Sequence, residues 1–267
     1  MPGEAAVNSP QPLSPAGTLQ GHRVYAIVAI FYVAAVLLTD AFASMGINQP
    51  FDWTVFSWDH SLNVPAVSVQ FSESGEEIIS VPAHLRHRFV RVFYFDYFKF
   101  VLWFLIPFLV LLPHLDWGAF GFARWKRSDA YLLSGLALAG LAAVLLVPLI
   151  PALSAIYQGS GDLPWRLRVG TACGQLTWIV SWLLGWELLH RYLLLKSGLQ
   201  LWPRFGWLLV PLSEGLYHLQ KPGIEALGMV LLSLVLTQWA MRRQNVLLPF
   251  LAHLVIEVEL VLLLVFL

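Results

Sequence analysis

Three ionisable pairs recur at a spacing of four residues in the C-terminal half of the chain: Glu187 with Arg191, Glu214 with His218, and His253 with Glu257. Four residues is about one helical turn, so in a helix each pair shares a face. Carboxylates beside cations and imidazoles are groups that move protons. Peptide hydrolysis needs such a base near water, together with donors for the developing oxyanion. All three pairs stand in strongly apolar surroundings. A charge in mid-bilayer costs on the order of 3 kcal/mol on insertion scales, and groups carrying that cost face a protein interior or a water-filled cavity. The pattern predicts one buried polar site built by three helices.

The elements that must hold these residues are membrane helices. Of the 267 residues 58% are hydrophobic and 12% charged, with mean hydropathy +0.69. That composition predicts an all-α polytopic membrane protein of about seven to eight transmembrane helices. Apolar runs at 24–45, 92–113, 130–152, 170–198, 204–220, 223–241 and 245–267 are the expected spans. Measured from the span ends near 199, 204 and 243, Glu187, His218, His253 and Glu257 fall roughly 15–21 Å deep, near the middle of a hydrocarbon core of about 30 Å.

Outside the spans, residues 1–22 read as a disordered tail rich in Pro, Ser and Gly, lacking the cationic start of a signal peptide. Residues 23–129 read as an N-terminal membrane region containing one sizeable extramembrane segment, 46–90. There Val67, Val69 and Phe71, a turn at 72–77, and Ile78, Ile79 and Val81 suit a β-hairpin. Residues 130–267 form the core that carries the pairs. Lys and Arg fall eight on the side of the N-terminus and six on the other, which predicts the N-terminus inside, in a bacterial cytoplasmic membrane. A net charge of zero offers nothing for nucleic acid, leaving the bilayer and a membrane-associated protein or peptide as expected partners. Cys173 has no other cysteine to pair with and is expected to be a buried thiol.

The runs Trp186-Glu187-Leu-Leu-His-Arg191, Leu216-Tyr-His218-Leu-Gln-Lys-Pro-Gly-Ile-Glu225 and Leu251-Ala-His253-Leu-Val-Ile-Glu257 resemble, in order and spacing, the three motifs of the CPBP family. That family contains the CAAX-type prenyl-protein endopeptidases and bacterial relatives tied to bacteriocin processing and immunity. The likeness covers about residues 130–267. It implies a glutamate-type intramembrane endopeptidase with no cofactor, its catalytic residues being Glu187, Arg191, His218, His253 and Glu257. Three positions depart from the common pattern. Trp186 replaces a first glutamate assigned to water activation, Glu214 stands where an aromatic is usual, and Glu257 stands where Asn would help hold the oxyanion. Lys221, Pro222 and Glu225 look like a single-glutamate variant of the family.

The residue types support this chemistry and also a plainer reading. Arg191, one turn along, would keep Glu187 ionised and aimed, yet the two equally suit a structural ion pair between helices. His218 could share the proton of a water or simply hydrogen-bond a carbonyl, and His253 could donate to an oxyanion. Glu214 and Glu225 are secondary candidates that lean structural. His190 is expected to pack and Glu259 to lie on another face. Asp96 and Lys99 are expected to neutralise each other, and Asp40 to sit at the interface. Two other classes of function stay open. One is a zinc protease with Glu187, His218 and His253 as ligands. The other is a non-catalytic membrane protein, whether pseudoprotease, scaffold or proton-coupled transporter, which Trp186 favours.

Overall fold

The computed structural model describes residues 23–44, 95–157, 159 and 165–266, so the expected tail and hairpin lie outside the described residues. Among these residues the chain is helical, with no strand. The helices are α1 (Arg23–Ser44), α2 (Tyr97–His114), α3 (Arg127–Leu149), the short α4 (Pro151–Ser154) and α5 (Trp165–Glu187). A π-helical segment, Leu188–Leu194, carries α5 directly into α6 (Leu195–Leu201). Then follow α7 (Leu209–Tyr217), a 3-10 turn His218–Gln220, α8 (Gly223–Arg243) and α9 (Leu247–Phe266).

Five of the expected spans, α1, α2, α3, α8 and α9, are long and apolar enough to cross a membrane, and the chain is an integral membrane protein. The other two expected spans carry Glu187, Arg191, Glu214 and His218, whereas His253 and Glu257 lie on the apolar α9. The run expected at 170–198 is the continuous α5–π–α6 rod, and the run expected at 204–220 is the nine-residue α7 with its 3-10 turn. Packing explains how these polar helices persist. Glu187, His190, Arg191, Glu214 and His218 are all buried against neighbouring helices and are withdrawn from lipid.

Local signals set the helix ends. The Asp96 carboxylate caps α2 by accepting from the Lys99 amide at 2.9 Å. Asn245 caps α9 by accepting from the Leu248 amide at 3.0 Å. Between α8 and α9, Gln244 turns the chain with a φ of 50°, and its carbonyl accepts from the Arg124 guanidinium. At the same end Asp129 accepts from Trp239 Nε1 at 3.1 Å and Arg243 Nε at 2.7 Å, clamping α3 to α8.

Glycines allow the two closest backbone approaches. At Gly185 a Cβ would stand 2.6 Å from the Trp103 Cβ, so α2 nests on α5 just before Trp186 and Glu187. At Gly206 a Cβ would stand 1.9 Å from the Gly198 carbonyl oxygen, which locks α6 to the turn leading into α7. Because that obstacle is backbone, Gly206→Ala is expected to destabilise the fold by about 1–3 kcal/mol or more. Thermal unfolding in lipid checks this, with Gly121→Ala, where a Cβ meets nothing within 4 Å, as the neutral comparison.

The packed centre runs through Trp103, Ile179, Leu183, Trp186 and Leu189 and surrounds the polar pairs. Cys173, expected to be buried, is exposed on the flank of α5 instead. An apolar residue in a membrane helix is as much at home facing lipid as facing the core, so an apolar run carries no signal of which side each residue takes.

Candidate functional site

The π segment begins at Leu188, immediately after Glu187, and holds Arg191. Such wide turns re-aim side chains and recur at functional sites. Glu187 is 1% exposed. Its Oε1 accepts from Arg191 Nη1 at 3.2 Å and from His253 Nδ1 at 2.9 Å, while its Oε2 is buried without a partner. Arg191 also donates to both oxygens of Glu214, one through Nη1 and the other through Nη2 at 3.0 Å. The structure thus joins α5, the π segment, α7 and α9 through one buried network. Its members Glu187, Arg191, Glu214 and His253 all came from the spaced pairs.

Where the motif pattern has two adjacent glutamates, this chain has Trp186 and Glu187, and Glu214 on the neighbouring helix gives Arg191 its second acidic partner. Glu214 is fully buried, and forming a two-pronged ion pair is what makes that burial tolerable.

The two other imidazoles of this region are fixed through Nδ1. His218 Nδ1 donates to the Glu214 carbonyl at 2.8 Å, leaving the Nε2 lone pair free. His190 Nδ1 donates to the Trp186 carbonyl at 3.0 Å, and its Nε2 accepts from Ser213 Oγ at 3.3 Å. Tilted at 41° against the Trp186 ring with centroids 4.2 Å apart, His190 is a packed, satisfied side chain, as its position in the motif suggested.

A cavity of about 600 Å³ meets this network. Its wall includes Trp186, His218, His253 and Glu257, whereas Glu187 stands behind the wall. His253 Nε2 and Glu257 Oε1 are 3.7 Å apart. The Trp186 ring meets His218 edge-on at 5.8 Å, and Trp182 meets His253 edge-on at 5.8 Å. Indole N–H groups of Trp103, Trp182 and Trp186 remain buried without partners beside the cavity. Trp186 therefore brings a donor to a place where the motif pattern has a proton acceptor. It cannot take a proton from water.

The cavity extends to the end of the bundle where α1 and α9 finish and α2, α5 and α8 begin, reaching Ser44, Lys99, Lys221 and Leu264. At that rim Lys221 Nζ donates to Glu225 Oε1 at 2.6 Å and to Tyr157 Oη at 3.0 Å, and Tyr157 donates to Glu225 at 2.8 Å. Burial pushes the Tyr157 phenol up to about 12, so it keeps the proton it donates. Glu225 is thus a rim residue, apart from the Glu187 network. Glu259 points to Gly140 of α3, outside the cavity wall.

Two residues of the N-terminal half take further partners. Asp40, near the end of α1, is 5% exposed; it accepts from the Tyr217 hydroxyl, and its Oδ2 lies 3.5 Å from Lys99 Nζ. Lys99 is 3.7 Å from Asp96, as the spacing suggested, but is shared with Asp40 and lies over the Trp103 and Trp178 rings. Motif reasoning passed over Asp40, Lys99, Tyr157 and Tyr217. For Asp40 the signal was present, a lone acid in an apolar span, which marks a buried polar contact by default.

Among the described residues no group of three His, Cys, Asp or Glu side chains converges as metal ligands.

No curated protein and no solved structure matches the chain closely enough to count as a relative. Residues 176–258, which hold all three spaced pairs, match the family model described as type II CAAX prenyl endopeptidase Rce1-like, and this match supports a CAAX-protease-type domain of the CPBP family in that part of the chain.

Proposed function

We propose that this protein hydrolyses a peptide bond of a membrane-associated or lipid-linked protein inside the 600 Å³ cavity, with water activated by the buried Glu187–His253 pair. The observation that carries this reading is the 2.9 Å bond from His253 Nδ1 to Glu187 behind the cavity wall. In the neutral form of His253 this bond puts the proton on Nδ1 and leaves Nε2 with a lone pair on the side of Glu257. A water bound there loses its proton to Nε2 as it attacks the carbonyl carbon. The resulting imidazolium stands between the carboxylates of Glu187 and Glu257, and it returns the proton to the leaving amine. Arg191 holds Glu187 aimed through the 3.2 Å bond from its Nη1. His218, with Nδ1 occupied, accepts a hydrogen bond at Nε2 from the other O–H of the same water, which stays on the oxygen as it attacks. No cofactor takes part.

The basic groups Arg124, Lys126, Arg127, Arg242 and Arg243 gather at the end of the bundle opposite the cavity rim. With that end cytoplasmic, the N-terminus is inside and substrate enters from the other face. Residues 130–267 act as the catalytic core, and α1 and α2 complete its walls.

The test is cleavage of a pool of lipid-linked peptides and membrane proteins by the purified protein in nanodiscs, read by mass spectrometry of new termini. Cleavage that persists in chelator supports the reading, and its loss in chelator moves the chemistry to a metal. A second reading, a non-hydrolytic membrane scaffold, is favoured by Trp186 on the cavity wall. Absence of cleavage across the pool supports that one.

A further inference from the structure

Asp40 is a buried carboxylate on the first helix, far in sequence from the motifs and outside the residues matched by the family model. A buried acid in a membrane span is costly to keep, so its partners indicate what it serves. Those partners are Lys99, which balances the charge at 3.5 Å, and the hydroxyl of Tyr217. Tyr217 is the last residue of α7, and His218 opens the 3-10 turn that follows. Helix ends are where the regular backbone ladder stops fixing side-chain direction. A side-chain anchor at the final residue therefore sets the direction of the residue after it. The Tyr217 ring also meets Trp103 at 5.9 Å, Trp186 at 5.1 Å and His218 at 5.6 Å, so this one side chain touches α2, the motif tryptophan and the imidazole together.

We propose that Asp40 and Tyr217 form a positioning pair, in which the hydrogen bond from α7 to α1 holds His218 with Nδ1 on the Glu214 carbonyl and Nε2 free toward the cavity. The pair touches no substrate and acts through His218. The catalytic part of this inference rests on the protease reading above, whereas the effect on the His218 ring does not.

The experiment combines two readouts on wild type, Tyr217→Phe, Asp40→Ala, Asp40→Asn and the Asp40→Ala/Tyr217→Phe double variant, each in nanodiscs and checked by thermal unfolding. Nitrogen-15 histidine NMR, with the His218 signals assigned through His218→Gln, reads the tautomer. Wild type is expected to show one His218 tautomer, protonated on Nδ1. Tyr217→Phe keeps the ring packing but loses the hydroxyl, and both it and Asp40→Ala are expected to give a mixture. Asp40→Asn, whose amide oxygen still accepts from Tyr217, is expected to keep the wild-type signal. In the cleavage assay the same two variants should lower kcat roughly 10- to 100-fold with KM little changed, the double variant should be no worse than either, and Asp40→Asn should restore most of the rate.

An unchanged His218 tautomer in folded Tyr217→Phe and Asp40→Ala would overturn the proposal. So would a loss of turnover with that signal unaltered, or an Asp40→Asn variant as impaired as Asp40→Ala. If wild type cleaves nothing, the protease reading fails on its own, and the NMR comparison still decides the positioning pair.

Discussion

Glu187→Gln should abolish most peptide cleavage while the protein stays folded, with kcat falling roughly 10²- to 10⁴-fold and KM nearly unchanged. The amide has the shape of the carboxylate and still offers an oxygen to His253 Nδ1. What it loses is the charge that stabilises a histidine once it has taken the proton of water. His253→Ala should cost a similar factor, because the two groups act as one base at 2.9 Å. The Glu187→Gln/His253→Ala double variant should then be little worse than either single variant, since residues acting as a unit are strongly non-additive. Steady-state kinetics on one defined substrate gives the answer. Independent, additive losses would mean that Glu187 and His253 do not share the proton transfer, and the proposed role of the pair would fall.

Removing the cation should be the most damaging change to the fold. Arg191 is the single guanidinium between two buried carboxylates, Glu187 and Glu214, neither more than 1% exposed. Arg191→Met leaves both acids buried without their shared partner, and breaking a buried pair from one side costs about 3–5 kcal/mol. Arg191→Lys should rescue little of this. A lysine ammonium is a point charge that cannot fork onto both Glu214 oxygens while also reaching Glu187. Unfolding of the purified variants in lipid or mixed micelles measures the loss. Glu214→Gln should be milder, because Glu187 remains to satisfy the arginine. A melting temperature unmoved in Arg191→Met would show that water already solvates these acids, contrary to their burial.

Trp186 is the point where motif reading and geometry meet most usefully. In the sequence it is a missing glutamate and an argument against catalysis. In the structure it lines the cavity, its neighbour Glu187 turns behind the wall toward His253, and Glu214 gives Arg191 a second acid. In the mechanism proposed above, base duty falls to His253, oriented by Glu187, and needs no carboxylate at position 186.

By itself the sequence determined the membrane class, the positions of the five apolar spans and the three spaced pairs, because hydropathy and helical periodicity are local quantities carried by neighbouring residues. It also held the motif order in which the chain resembles the CPBP family. Only the tertiary structure decided which acids share Arg191, that His253 and not Glu187 faces the cavity, and that Asp40 reaches Tyr217 across 177 residues. These outcomes depend on the rotation and depth of each helix against its neighbours. Such packing terms join residues far apart in the chain, and inside an apolar bundle no local pattern encodes them.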